Sequence, residues 1–368
     1  MTRPVTAAGA TAVSAPVPVR EDLGRLSGYH SPQVDVQVRL NTNESPLPPP
    51  PGWTEALQKA VAEIPFNRYP DRQANRLRAA LADHHGVTVD EVFCANGSNE
   101  VLQCLLLAYG GPGRTSVAFE PTYALHSHIA RLTGTGVVQG NRAADFTVDP
   151  RELRRVLGEA EATVTFFCSP NNPTGTLEPY ANVEAALALS GGLVVVDEAY
   201  GPFSGRSAVA LRDGPYGDRL VVVTSFSKTW SLAGLRLGYA IATPAVVEAL
   251  ESVALPYHVD AFTQEAGRVA LGFAGEVQER VQSIVQDRER MQQRLARLPV
   301  DQWPSQANFV LFRPLHKDGH EVWQQLVERS VLVRDTSGWP GLEGCLRVTV
   351  GSPEENDRFV SALEEVLR

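Results

Sequence analysis

The feature that most constrains the fold of this sequence is a series of short apolar runs that alternates with helical stretches from about residue 91. Helical stretches near 99–109, 123–132, 151–158 and 180–190 separate the runs. Apolar runs of this length are typical of strands buried on both faces, and the alternation predicts a mostly parallel sheet covered by helices. The predicted strands are Val92–Cys94, Ser116–Phe119, Thr163–Cys168, Leu193–Val196 and Leu220–Thr224.

The pattern changes after about residue 255. Residues 261–298 form one long amphipathic stretch, which predicts a single long helix. Strand-like runs follow at Asn308–Phe312, Val331–Val333 and Leu346–Val350, with helices near 319–329 and 353–367. We therefore predict an α/β fold with a large domain over 53–255 and a small α+β domain over 256–368. Residues 21–52 are expected to form an N-terminal arm, and residues 1–20 a disordered tail.

Composition excludes several classes of partner. The formal net charge is −9, which disfavours nucleic acid because phosphate neutralisation needs clustered Lys and Arg. No run approaches the ~20 apolar residues of a transmembrane helix, so we expect no membrane partner. Four cysteines show no metal-ligand spacing, so we expect no metal and reduced thiols in a cytoplasmic protein. They are Cys94, Cys104, Cys168 and Cys345.

Polar residues follow immediately on four of the predicted strands. In open parallel sheets, ligands bind outside the carboxyl ends of the strands. We therefore expect these residues to surround one ligand. The polar segments are Asn96–Glu100, Ser169–Gly175, Asp197–Tyr200 and Ser225–Lys228.

These residue types match the needs of an aldehyde cofactor with a phosphate tail. Such a cofactor needs an amine, a carboxylate against a pyridine nitrogen, and a helix N-terminus with hydroxyls for the phosphate. The sequence has only three lysines, and Lys59 and Lys317 lie in polar stretches typical of exposed lysines, which leaves Lys228. Each feature alone is common, since a strand-end aspartate often caps a helix. The prediction depends on their combination and order.

The chain resembles fold-type-I pyridoxal-phosphate aminotransferases and, more narrowly, the histidinol-phosphate aminotransferase family. The resemblance runs from about Glu21 to the C-terminus. It implies an aspartate-aminotransferase-like fold, pyridoxal 5'-phosphate as cofactor, and transfer of an amino group to a 2-oxo acid such as 2-oxoglutarate. The matching stretches are Arg39–Glu44, Asn67–Asp71, Ala95–Ser98, Pro121–Tyr123, Ser169–Gly175, Val196–Tyr200, Ser227-Lys228, Ala233–Tyr239 and Cys345–Gly351.

The resemblance implies a set of cofactor contacts. Lys228 would hold the cofactor as a Schiff base and move the proton in catalysis, and Asp197 would pair with the pyridinium nitrogen. Tyr200 and Asn172 would bind the ring oxygen, and Tyr123 would stack on the ring. The phosphate would be held by Ser98, Asn99, Ser225, Ser227 and Arg236.

The resemblance also implies substrate contacts and a shared site. Tyr69 would reach the phosphate of the neighbouring subunit's cofactor, which would make the protein an obligate homodimer. Arg347 would bind the carboxylate of the amino donor or the phosphate of the substrate. The substrate end would be lined by Tyr29, Asn43 and Arg334.

Some positions depart from the family pattern and leave the substrate open. Ser45 stands where Asn is usual, Asn99 where Asp is common, and Thr229-Trp230 where Ala-Phe is common. We expect these departures to lie near the substrate entrance and the cofactor. Histidinol phosphate, in histidine biosynthesis, is the leading substrate. The alternatives are an aromatic amino acid, decarboxylation of a phosphorylated amino acid, another enzyme of a specialised biosynthetic pathway, and a non-catalytic paralogue.

Other catalytic motifs are incomplete in this sequence. Ser225–Lys228 also fits the Ser-x-x-Lys pattern of penicillin-recognising enzymes, but the partner elements of that motif are missing. His320-Glu321 begins like a zinc-protease helix, but Gln324 stands at the position of the second His. We expect His126 and His128 to be surface or packing residues rather than metal ligands.

Overall fold

A computed structural model describes Val17, Glu21 and residues 33–368. Tyr29 and, apart from Val17, the predicted tail over 1–20 lie outside the described residues. From residue 34 onward the chain forms two β-sheets. The strands are β1 Val38–Leu40, β2 Val92–Ala95, β3 Thr115–Glu120, β4 Gly136–Asn141, β5 Ala162–Cys168, β6 Leu193–Asp197, β7 Leu220–Ser225, β8 Gly238–Ile241, β9 Val300–Gln302, β10 Phe309–Pro314, β11 Val331–Asp335 and β12 Leu346–Thr349.

Helices cover both sheets. Several begin at the residues that sequence rules favour, such as Pro51 and Pro150 at first helical positions and Ser352 as a capping box. The helices are α1 Pro51–Ala62, α2 Asn75–His85, α3 Ser98–Tyr109, α4 Leu125–Leu132, α5 Pro150–Glu159, α6 Tyr180–Leu189, α7 Pro244–Val253, α8 Ala261–Leu271, α9 Ala274–Leu295, α10 Gly319–Glu328 and α11 Pro353–Leu367. Within the described residues, none of these helices has the length and apolar character needed to cross a bilayer.

The larger sheet has seven strands in the order β2-β8-β7-β6-β5-β3-β4. Neighbours from β7 to β4 are parallel, and β8 is antiparallel to both β2 and β7. The predicted mostly parallel sheet is therefore confirmed. Alternate residues of its central strands are buried in core clusters on opposite faces, as shown by Val221 and Val223 on one face and Val222 on the other.

The smaller sheet has five strands in the order β1-β11-β12-β10-β9. Strand β1 lies in the predicted arm and pairs in parallel with β11, whereas the other pairs are antiparallel. Helices α9, α10 and α11 pack on this sheet through residues such as Leu295, Leu326 and Phe359. The smaller sheet thus joins the two ends of the described chain.

The prediction of one long helix over 261–298 is wrong. The structure has two helices, α8 and α9, which are separated at Gly272 and Phe273. Glycine favours a helix end over a helix interior. The ring of Phe273 packs against Gly52 of α1, where an added Cβ would lie 2.9 Å from the ring. The break therefore lets an aromatic side chain anchor this junction to α1.

Candidate active site

The carboxyl ends of β5, β6 and β7 place the predicted polar segments side by side. Cys168 pairs with Asp197, and Asp197 with Val223 of the next strand. Asn172, Tyr200 and Lys228 each follow within four residues of a strand end. The parallel register therefore brings an amide, a carboxylate, a phenol and an amine to one edge of the larger sheet.

Asp197 is buried and is held by two donors. Its Oδ1 accepts from the backbone N–H of Ala199 at 3.1 Å, and its Oδ2 lies 3.1 Å from Nε2 of His126. His126 belongs to α4, is fully buried, and stacks on Phe166 with ring centroids 4.8 Å apart. Sequence reasoning treated His126 only as a packing or surface residue and missed this contact. One sequence feature relates His126 to the site: it lies three residues after Tyr123, in the first turn of α4, where its side chain can reach the same region as that of Tyr123.

Lys228 is directed at the segment that links β1 to α1. Its Nζ donates to the backbone carbonyl of Thr42 at 2.8 Å. Burial lowers the pKa of Lys228 to about 8, and the positive charge of Arg347 contributes in the same direction. At pH 7 about one-tenth of the amine is therefore neutral, far more than for an ordinary lysine, and only the neutral amine attacks a carbonyl carbon.

Tyr200 and Asn43 connect the two sheets. Asn43 Nδ2 donates to the phenol oxygen of Tyr200 at 3.0 Å, while Asn43 Oδ1 accepts from Thr349 Oγ1 of β12 at 3.0 Å. Asn43 adopts a φ of 56°, a left-handed conformation that asparagine tolerates better than most residues. Burial raises the pKa of Tyr200, so its phenol keeps its proton and remains a hydrogen-bond donor.

Two buried arginines lie opposite each other in the smaller sheet. Arg334 of β11 pairs directly with Arg347 of β12. Arg347 donates from Nη1 to Oδ1 of Asn172 and from Nη2 to the carbonyl of Asn41 at 2.9 Å. Like charges directly across a strand pair destabilise a sheet. An anion bound beside the two guanidinium groups would offset this repulsion, so the pair suits a carboxylate or a phosphate.

The N-terminus of α3 and the segment before β8 form a cradle of donors. Ser225 Oγ donates to Ser227 Oγ at 2.9 Å, and Arg236 Nη1 lies 3.5 Å from Ser227 Oγ. A Cβ added to Gly97 would lie 2.9 Å from Arg236 Nη2, so glycine allows this close approach. Helix N–H groups, two hydroxyls and a guanidinium together match the needs of a phosphate dianion, and so the cradle fits the phosphate of the expected cofactor.

Asn99 and Tyr123 lie between the cradle and the aspartate. The Tyr123 hydroxyl donates to Asn99 Oδ1 at 3.1 Å. The Tyr123 ring also meets His126 edge-on, with centroids 5.5 Å apart. Tyr123 is thereby held by a residue at the start of α3 and by the histidine that contacts Asp197.

Tyr69 does not enter the site of its own chain. Its side chain is 80% exposed and stacks on Tyr257, with ring centroids 4.6 Å apart. Phe66 and Leu255 are also largely exposed. Tyr29, which was predicted to line the substrate end, lies outside the described residues.

Two expectations about neighbouring residues are wrong. Trp230 lies in the core against Phe226 and His84, not at the substrate entrance, because successive side chains in this turn point in different directions. Lys317 was expected to be solvated like the exposed Lys59, but it is half-buried and donates to the carbonyl of Val366. Lys317 thus binds one of the last carbonyl groups of α11, where a cation is favourable.

The family is decided by comparison with known sequences. Residues 35–363 match the model of the aminotransferase class I and II family. The chain belongs to this family. A histidinol-phosphate aminotransferase of Frankia casuarinae is 46% identical over 365 residues, which cover 95% of this chain and 90% of the relative. One of Streptomyces avermitilis is 46% identical over 363 residues, covering 95% and 96%.

Solved structures of class I and II aminotransferases share the fold. The histidinol-phosphate aminotransferase from Sinorhizobium meliloti, solved in complex with pyridoxal-5'-phosphate, superposes with a TM-score of 0.86 at 23% identity and covers 97% of this chain and 99% of that one. An aspartate aminotransferase variant of Thermus thermophilus gives 0.80 at 23% identity, covering 95% and 99%. The expected aspartate-aminotransferase-like fold is therefore confirmed, and the protein is an aminotransferase.

Proposed function

We propose that this aminotransferase uses pyridoxal 5'-phosphate to convert histidinol phosphate and 2-oxoglutarate to imidazole acetol phosphate and glutamate, a step of histidine biosynthesis. The observation that carries the proposal is that Lys228, which follows the strand next to that of Asp197, donates to Thr42 and lies close enough to Arg347 for that charge to lower its pKa. The names of the relatives at 46% identity support the substrate.

The residues around the strand ends fit the cofactor. When bound, the cofactor supplies an aldehyde carbon that takes up nitrogen and a protonated ring that accepts electrons. Asp197 would hold the ring nitrogen protonated, and His126 would keep that carboxylate in place. Tyr200 and Asn172 would bind the ring oxygen, and Tyr123 would cover one ring face.

The phosphate would lie in the donor cradle at the start of α3. The backbone N–H groups of the first helical turn and the hydroxyls of Ser98, Ser225 and Ser227 would donate to it, and Arg236 would balance its charge. Asn99 would support Tyr123 from the same turn.

Lys228 would carry the proton between donor and product. Its neutral Nζ would take the proton from the α-carbon of the amino donor and would deliver it to the former aldehyde carbon of the cofactor, on the other side of the transferred nitrogen. The carbonyl of Thr42 accepts from the same nitrogen and would hold the amine at that place. Burial of the surrounding groups excludes competing water.

The arginine pair would bind the anionic end of both substrates. Histidinol phosphate has a phosphate and no carboxylate, whereas 2-oxoglutarate has carboxylates only. A site for both must recognise negative charge and a pair of oxygens on one anionic group. A guanidinium group does this, because two of its N–H groups can donate to two oxygens of either a carboxylate or a phosphate. Arg347, with Arg334 and Asn43 beside it, would serve in both halves of the reaction.

We further propose that a second copy of the chain covers the patch formed by Phe66, Tyr69, Leu255 and Tyr257. Exposed large apolar side chains, of which Tyr69 and Tyr257 stack on each other, favour a protein partner. Tyr69, exposed in its own chain, would then reach the phosphate of the partner's cofactor. We also propose that the chain has a large domain over 53–255, a small domain over 256–368 and an arm over 21–52. The proposed location is the cytoplasm. The four unpaired cysteines support the location.

A panel of amino donors tests the substrate. Each donor is mixed with the cofactor-loaded protein without an oxo acid, and the change in cofactor absorbance is followed in a single half-reaction. We expect histidinol phosphate to react at the lowest concentration, and histidinol, which lacks the phosphate, to react far more weakly. A response to phenylalanine or tyrosine without one to histidinol phosphate would overturn the substrate and leave the aminotransferase chemistry intact.

A further inference from the structure

A cavity of about 340 Å³ lies behind Lys228, on the face of β7 and β8 that is covered by α9. We call it the rear cavity. Its volume is within the range of small-molecule sites. The lining residues that decide its chemistry are Glu198, Arg206, His84, His85, Trp230 and Tyr239.

The rear cavity is separate from the active site but shares its chain segments. Glu198 lines it, whereas the adjacent Asp197 faces His126. Thr229 and Trp230 line it, whereas the preceding Lys228 binds Thr42. Of the described residues that are assigned to cofactor or substrate, none lines the rear cavity. The two departures from the family pattern next to the lysine therefore belong to this cavity.

The inner wall carries one carboxyl group, which is negative when it is ionised. The Glu198 carboxyl is buried and accepts from Ser207 Oγ at 2.6 Å and from the backbone N–H of Ala208 at 2.5 Å. Each of its oxygens has two lone pairs, so each keeps an acceptor position for a ligand. Among the lining residues the other charged group is Arg206, which is exposed and held with its guanidinium carbon 4.0 Å from the centre of the Tyr180 ring.

His84 and His85, which also line the wall, do not bring a positive charge near the Glu198 carboxyl. Burial lowers the pKa of His85 to about 4, and burial also lowers the pKa of His84. His85 Nε2 lies 2.7 Å from the hydroxyl of Tyr239. Both imidazoles are therefore neutral near pH 7, and the interior of the cavity favours a cation.

The remaining wall suits a flat apolar group. Trp230 contributes an indole whose ring lies 5.7 Å from that of His84, and Val222, Val277 and Val281 contribute aliphatic surface. Aromatic faces attract cations and rings. The substrate side of the active site, with Arg334 and Arg347, instead favours anions.

From these contacts we infer that the rear cavity binds a small aromatic cation, with a charged N–H donated to Glu198 and the ring against Trp230. Ligands of this class include amidinium and imidazolium compounds. The charge selects the rear cavity over the arginine-lined active site, and the ring selects it over exposed carboxylates, which offer no apolar wall.

Benzamidine is a suitable probe because its amidinium is charged at neutral pH and does not condense with an aldehyde as an amine does. Isothermal titration of the cofactor-loaded protein should give one saturable site per chain. The neutral benzamide should bind at least about tenfold more weakly, since it lacks the charge-assisted contact. Kinetics with a varied amino donor should show inhibition that is not competitive with the donor, or none. Absence of saturable binding, equal binding of benzamide, or competition with the donor would overturn the inference.

Variants locate the site. Glu198→Gln should weaken benzamidine binding about tenfold, and Val281→Phe, which fills the cavity, should abolish it. The matched controls Glu184→Gln, on the exposed face of α6, and Val138→Phe, on β4, should bind benzamidine as the unaltered protein does. Unchanged binding in Val281→Phe would refute the location. Should that variant fail to fold, the benzamide comparison on the unaltered protein still decides the outcome.

The pH dependence tests the contact with Glu198. Burial raises the pKa of Glu198 to about 7, with Asp197 adding in the same direction. The cation binds the ionised carboxylate, so affinity should fall about tenfold from pH 8 to pH 6. The other titratable or charged groups that line the cavity are His84, His85, Tyr239 and Arg206. Burial lowers the pKa of His85 to about 4 and raises the pKa of Tyr239, so neither changes its charge over this range. Protonation of His84 at the lower pH would weaken cation binding in the same direction as protonation of Glu198. Affinity that rises as the pH falls would contradict the contact.

Discussion

The cofactor side and the substrate side of this site come from two sheets of different construction. The cofactor side uses the ends of parallel strands, where Asp197 and Lys228 directly follow buried apolar runs. The substrate side uses the interior of antiparallel strands, where Arg334 and Arg347 interrupt apolar sequence. One side is thus a boundary between core and loop, and the other consists of charges placed inside a core.

Because of this difference, the polar groups of the two sides obtain their hydrogen-bond partners in different ways. Strand-end groups obtain solvent or backbone partners easily, as Asp197 does from Ala199. Buried arginines need specific acceptors, which Asn41 and Asn172 supply to Arg347 from outside its own sheet. The substrate side therefore depends on the docking of the two sheets, and the cofactor side mostly on the larger sheet alone.

Removal of the amine gives the largest expected effect. Lys228→Ala should lower the transamination rate by at least about 10⁴-fold, since the covalent anchor and the proton carrier are lost together. The measurement is the steady-state rate, together with the absorbance of the bound cofactor. Lys59→Ala, which removes an exposed lysine on α1, serves as the control and should be unchanged. Comparable rates in the two variants would show that Lys228 is not the catalytic amine.

Loss of a substrate-side arginine should affect the reaction with the donor much more than the binding of the cofactor. Arg347→Ala should lower kcat/KM for the donor by about 10²- to 10³-fold, because a charge-assisted contact to the substrate anion is lost. Cofactor affinity, measured by absorbance titration, should change far less. Arg313→Ala, in the neighbouring strand and paired at the surface with Asp301, should leave both quantities unchanged. An equal loss of donor and cofactor binding in Arg347→Ala would remove the distinction between the sides.

The histidine behind Asp197 should have a smaller effect. His126→Asn should lower the half-reaction rate about tenfold, because the buried carboxylate loses one of its two donors. Donor KM should be nearly unchanged, since the histidine lies on the cofactor side. His128→Asn, two residues further along α4, is the matched control. A similar fall in both variants would mean that the helix and not the contact is responsible.

The smallest expected effect concerns the influence of Arg347, on the substrate side, on the pKa of Lys228, on the cofactor side. In cofactor-free protein, the rate at which Lys228 reacts with pyridoxal should rise as the pH passes about 8, since the neutral amine attacks. Arg347→Ala removes a nearby positive charge, which favours the ammonium form and raises the pKa of Lys228. The rate at pH 7 should therefore fall a few-fold. A faster reaction in the variant would show that the arginine does not lower this pKa.

Much of the larger sheet could be predicted because its central strands are buried on both faces. The predicted runs for β5, β6 and β7 differ from the structure by one residue at an end. Strand β4 was missed because it contains two glycines and several exposed residues at the sheet edge. Strand β1 was missed because it has three residues and obtains its partner, β11, from the far end of the chain.

The site was predicted where it follows strand ends and missed where it depends on tertiary contact. Scarcity of lysine and position after β7 singled out Lys228. His126 and Asp197 are 71 positions apart, and no local pattern relates them. The misplacement of Trp230 has a similar cause, since adjacency in sequence does not fix the direction in which a side chain points in a turn.

The two hydrogen bonds between Asn43 and Thr349 join residues that are 306 positions apart in the chain. At a synthesis rate of about 5–20 residues per second, roughly 15–60 s separate the emergence of these two residues from a ribosome. Asp197 and Lys228 are synthesised well before Thr349, so the nascent chain can fold its larger sheet while the segment at Asn43 still lacks its partners. Catalytic competence is therefore acquired only after β12 has been synthesised, and a chain that stops before β12 would bear the lysine without the docked segment that holds it.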